Sequence, residues 1–159
     1  MKKILWVEDE AKDQLLELMG PVWQAGYHVD IAENMASALK KIKKGEYDAY
    51  IFDLIINKGD LSGIPEGDFP KNMMYGLELL EEIFGKDSQI KIDPSKCAVF
   101  SVIGREDVHE KIRGWGIMNI IVKKEMGRTK LKEIIESIIQ EGGSGDDVEQ
   151  SQNINNSGC

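Results

Sequence analysis

Acids, a hydroxyl and ammonium groups stand where short apolar runs of this sequence end. Glu8, Asp9 and Glu10 follow residues 3–7 (KILWV), and Asp53 closes the run at 50–52. Ser101 lies in 98–103 (AVFSVI), and Lys123 and Lys124 follow 118–122 (MNIIV). Carboxylates gathered at one crevice repel each other unless a cation sits among them. Mg2+ suits such a set, because it takes oxygen ligands in near-octahedral geometry and keeps several waters. A hydroxyl donor and an ammonium charge would neutralise the nonbridging oxygens of a phosphoryl group, with one acid left to act as nucleophile.

That chemistry requires the run ends to meet. The runs 3–7, 27–32, 50–52, 98–103 and 118–122 are nearly continuous in apolar residues, the pattern of strands buried on both faces of a parallel sheet. Between them lie residues at helical spacing: Leu15, Leu16 and Met19; Met35, Ala38, Leu39 and Ile42; Leu77, Leu80 and Ile83; Val108, Ile112 and Trp115; Leu131, Ile134, Ile135 and Ile138. Five βα units result, and each parallel crossover needs a connection of helix size. In an open sheet of this kind the ligand crevice lies outside the carboxyl ends of the strands, where the acids, Ser101 and the lysines fall.

Three stretches break the rhythm. Gly20 and Pro21 interrupt the first helical pattern, where the missing proline donor predicts two pieces. Residues 57–72 (NKGDLSGIPEGDFPKN) read as a long inserted loop, and such loops often carry function. Residues 142–159 read as a disordered acidic and polar tail, too poor in apolar side chains to offset ordering entropy.

At about 150 residues per domain, the 159-residue chain predicts one domain, here residues 1–141. A net charge of -8 argues against a direct nucleic-acid partner or an anionic membrane surface. Cys97 and Cys159 are too few for a disulfide scaffold, and with His28 and His109 they make no convincing zinc site. No apolar run reaches the roughly 20 residues of a membrane span, and no signal-peptide core precedes Glu8, so a cytoplasmic protein is expected.

Taken in order, these residues resemble the receiver domain of bacterial two-component response regulators, the CheY-like family. ILWVEDE is similar to the family's first strand with its acidic pair, YDAYIFDL to the third strand ending in the phosphate acceptor, AVFSV to the fourth strand and IIVKK to the fifth. The resemblance implies a flavodoxin-like (βα)5 three-layer α/β sandwich with parallel sheet order 2-1-3-4-5. It implies Glu8, Asp9, Asp53 and the backbone carbonyl of Ile55 as Mg2+ ligands. Asp53 becomes the acceptor of a phosphoryl group from a sensor histidine kinase or phosphotransfer protein. Ser101 and Lys123 become the groups that bind the phosphoryl oxygens. The implied role is a signalling switch rather than an enzyme, read by a downstream protein target, with a homodimer left open.

Four features depart from the family pattern. Lys124 stands where a proline usually follows the lysine, and Ile120 where an aromatic residue usually rotates on activation. Val102 replaces a small residue after Ser101, which predicts restricted water access and a long-lived phosphorylated form. The connection from Asp53 to Gly76 is far longer than usual. A pseudo-receiver that never takes phosphate, acting as a constitutive binding module, is the alternative. A haloacid-dehalogenase phosphatase is excluded because it needs an acid at position 55, where Ile55 stands.

The residues also admit plainer readings. Glu8, Asp9 and Glu10 taken alone could cap the first helix and oppose its dipole. The insertion could be inert decoration. The KKIKK stretch from Lys40 to Lys44 reads as a solvated helix face, His28 and His109 as surface or strand-edge residues, and Trp6, Trp23 and Trp115 as packing residues.

Overall fold

A computed structural model of the chain describes residues 2–9, 19–56, 59, 74–102, 104–122 and 129–142. The five apolar runs form strands β1 (Lys3–Val7), β2 (His28–Ala32), β3 (Ala49–Phe52), β4 (Cys97–Ser101) and β5 (Asn119–Val122). They make one sheet, β2-β1-β3-β4-β5, with every pair parallel. The helices are α1 (described at residues 19–24), α2 (Met35–Lys44), α3 (Tyr75–Phe84), α4 (Glu106–Gly114) and α5 (Lys130–Gly142). This is the flavodoxin-like architecture expected, in the expected strand order.

Alternation along each strand sorts the core into two layers. Leu5, Val7, Phe52 and Val99 face one side, where Leu39 of α2, Leu79 and Ile83 of α3 and Ile112 of α4 cover them. Ile4, Trp6, Ile51 and Phe100 face the other, under Met19 and Val22 of α1 and Leu131, Ile135 and Ile138 of α5. Burial on both faces is why these strands read as unbroken apolar runs. Local signals start and stop the helices. Asn34 caps α2 by accepting the Ser37 N–H on its side-chain oxygen at 2.8 Å, and Lys41, Lys43 and Lys44 crowd the last turn, where cations favour the helix dipole. Gly26 and Gly116 take left-handed backbone, φ 93° and 99°, just past α1 and α4.

Several expectations need correction. Residues 19–24, which include Gly20 and Pro21, are helical, and the preceding piece of the expected divided helix lies outside the described residues. Within this piece the Pro21 carbonyl accepts the Ala25 N–H at 3.1 Å. His109 is 8 % exposed, on the core-facing side of α4 rather than at the surface. Trp23 is 37 % exposed, whereas Trp6 is fully buried and Trp115 stacks near Phe84 at 6.5 Å. His28 does lie on the edge strand, bonded to Asp30 at 2.8 Å. The tail at 143–159 and nearly all of the insertion lie outside the described residues. Among those described, no helix is long and apolar enough to cross a membrane.

Candidate functional site

Register brings the acids together. Val7 and Phe52 are partners across β1 and β3, so the residues that follow them, Glu8 and Asp53, leave the sheet at the same level. Backbone bonds fix both: the Asp53 N–H donates to the Val7 carbonyl and the Glu8 N–H to the Ala32 carbonyl, each at 2.9 Å. Carboxylate oxygens of Glu8, Asp9 and Asp53 all lie within 4.8 Å of one another. Glu8 is fully buried, Asp53 is 4 % exposed, and Asp9 is half-buried in the turn that follows β1. Ionised carboxylates are rarely buried unless they are paired or bind a metal. Three hard oxygen donors on one side of a crevice fit Mg2+, which takes few protein ligands and completes its shell with water.

The acceptor candidate is oriented by its own turn. Oδ1 of Asp53 accepts the Ile55 N–H at 3.1 Å, an Asx turn that holds the carboxylate against the backbone two residues on. Ser101 ends β4 with 1 % exposure and pairs in register with Val122 of β5. Lys123, the next residue after Val122, lies outside the described residues, as do Glu10 and Lys124.

One contributor escaped the sequence reading. Gly76, in the first turn of α3, donates its N–H to the Leu54 carbonyl at 3.0 Å, and its Cα approaches the Asp53–Leu54 backbone closely. A Cβ there would collide with the Asp53 carbonyl oxygen and come within 2.6 Å of the Leu54 Cα. Only glycine permits that approach. The available signal was a glycine at the start of an apolar helical pattern, where it costs helix stability and therefore needs a packing reason. The neck of the insertion was also unforeseen. Ile56 and Met74 form a parallel bridge, both buried, so the chain leaves and re-enters at one place beside Asp53.

Comparison with protein-family models and with curated proteins finds no match. Solved structures do match. A two-component response regulator from Clostridium difficile aligns at 20% identity and TM-score 0.62, covering 87% of this chain and 96% of that one. The signal receiver domain of a LuxO repressor protein from Vibrio parahaemolyticus aligns at 18% and 0.66, covering 93% and 97%. Response regulator TrrA from Thermotoga maritima, solved with Mg2+ and BeF, aligns at 26% and 0.55, covering 87% and 99%. This chain has the receiver fold.

Within that receiver fold, two of the departures fall on described residues. Ile120 is half-buried and packs against the core shared by α2, α3 and α4, so the position carries no ring to rotate. Val102 is 61 % exposed directly after the buried Ser101. An exposed apolar side chain therefore follows directly on the buried hydroxyl of Ser101.

Proposed function

We propose that the chain is a phosphorylation-controlled signalling domain whose phosphate acceptor is Asp53. The observation that carries this reading is the convergence of the Glu8, Asp9 and Asp53 carboxylates within 4.8 Å at the carboxyl edge of a receiver-type sheet. Similarity to response regulators supports the signalling role. A carboxylate oxygen of Asp53 attacks phosphorus in line; the new P–O bond forms as the N–P bond to the donor histidine breaks, and the imidazole leaves with its electron pair. Glu8, Asp9 and the Ile55 carbonyl are the further oxygens that would hold Mg2+, which when bound would neutralise charge on the transferring group. Ser101 donates a hydrogen bond to a phosphoryl oxygen and Lys123 supplies an ammonium charge. The donor is a histidine kinase or phosphotransfer protein. The added charge biases the domain toward a state that a downstream protein binds.

The test is incubation with Mg2+ and acetyl phosphate, read by intact mass. A gain of one phosphoryl group is expected, and none when EDTA replaces Mg2+. An unmodified chain under conditions that load other receivers favours the constitutive binding module instead. Glu8→Gln keeps the shape of the pocket but removes one ligand charge, and is expected to weaken Mg2+ binding about tenfold or more, measured by calorimetry. Equal affinity would remove Glu8 from the metal set.

Val102 gives a kinetic prediction. Its methyl groups beside Ser101 screen the phosphoryl group from attacking water. Val102→Ala is expected to shorten the half-life of the phosphorylated form several-fold, followed by the decay of the mass-shifted species after removal of acetyl phosphate. A longer half-life in the variant contradicts the screening role.

A further inference from the structure

At the opposite edge of the sheet from the acids lies a groove of about 350 Å3. It is lined by Lys43 and Lys44 at the end of α2, by Glu46, by Tyr50 of β3, and by residues 89–92, which lead from α3 toward β4, so three lysines stand there against one acid. Along 88–93 exposure alternates: Ile90 and Ile92 pack against the core while Gln89, Lys91 and Asp93 face solvent. A period of two marks extended chain, yet this stretch belongs to no sheet. The N–H groups of Gln89, Lys91, Ile92 and Asp93 reach no protein acceptor among the described residues. Lys43, Lys44 and Lys91 make no ion pair among those residues either. The Tyr50 hydroxyl accepts the Tyr47 N–H at 3.1 Å and has no acceptor of its own there. Burial raises its pKa, so it stays a donor.

We propose that this groove binds an extended acidic segment of a partner protein, added as a strand along residues 89–92. Unpaired backbone of this kind is a template for strand addition, in which main-chain bonds supply affinity and alternate side chains supply specificity. The lysines select the partner. A second copy of the same edge would set Lys91 against like charge, which disfavours self-pairing, whereas alternate acids on an incoming strand meet Lys43, Lys44 and Lys91. The net charge of -8 disfavours non-specific attachment of acidic chains, so binding here depends on the local cluster of Lys43, Lys44 and Lys91.

The experiment titrates the 15N-labelled full chain with a capped heptapeptide of alternating Glu and Val, read by amide chemical shifts. Shifts are expected at Lys43, Lys44, Gly45 and 89–92, with Glu8 and Asp53 unmoved. The double variant Lys43→Glu, Lys91→Glu, at two exposed positions, is expected to weaken binding about tenfold or more while staying folded, with only a small loss of melting temperature from reversing a charge in the last turn of α2. N-methylation of alternate peptide amides is expected to abolish binding. Four results overturn the proposal: no shifts at millimolar peptide, equal binding of a Lys-Val peptide, binding that survives N-methylation, or binding undiminished in the double variant. A fifth is occupancy by this chain itself. If Asp146→Asn, Asp147→Asn and Glu149→Gln together shift the 89–92 amides without added peptide, the occupant is the chain's own acidic stretch.

Discussion

Asp53→Asn is expected to take up no phosphate from acetyl phosphate under conditions that load the wild type, a loss that is complete rather than graded. The amide is nearly isosteric and its oxygen still accepts a hydrogen bond, so the Asx turn to the Ile55 N–H persists. What disappears is the proposed nucleophile, since an amide has no reactive oxyanion to attack phosphorus. The same change removes one of three carboxylates lying within 4.8 Å, relieving their mutual repulsion in the absence of metal. Two readings therefore separate chemistry from folding. Without Mg2+ the variant should melt no lower than wild type. With Mg2+ at 100 times its dissociation constant, wild type should gain about 2.7 kcal/mol of stability and the variant measurably less. Phosphate found on the variant would move the acceptor to another acid of the cluster.

Gly76→Ala should be the most damaging single-methyl change near the site. Alanine improves helix propensity over glycine by about 1 kcal/mol, which alone would stabilise α3. Against that stands collision with backbone atoms of Asp53 and Leu54, which cannot swing aside as a flexible side chain would. Overpacking of this kind costs about 1–3 kcal/mol, so the net effect is destabilising. Functional loss should exceed the stability loss, because the displaced backbone carries the Asp53 carboxylate. Urea unfolding and acetyl phosphate loading measure the two separately. Gly20→Ala is the control: among the described residues nothing lies within 4 Å of a Cβ at that helical position. It is expected to raise stability by up to about 1 kcal/mol and to leave loading unchanged. If both variants behave alike, the close approach of α3 to the acceptor turn has no consequence.

Much of the architecture was legible from periodicity. Strands such as Lys3–Val7, buried on both faces, must be apolar throughout, and helices such as Met35–Lys44 must repeat at three and four residues to cover them. Boundaries were less legible. Cys97 begins β4 and Met118 lies outside β5 at 74 % exposure, because hydrogen bonding to neighbouring strands, not hydropathy, decides where a strand starts. His109 looked like a surface residue because a lone polar side chain carries no signal of which helical face it occupies.

The site divides along the same line. Residue type and position at strand ends were enough to nominate Glu8, Asp9, Asp53 and Ser101, because a parallel sheet obliges those ends to share one edge. Their mutual distances could not be read from the chain, since they depend on the β1–β3 register. Nor could the fit of Gly76 against the acceptor turn or the bridge between Ile56 and Met74. Each of these pairs atoms far apart in sequence, and one-dimensional patterns record which face a residue turns to but not what meets it there.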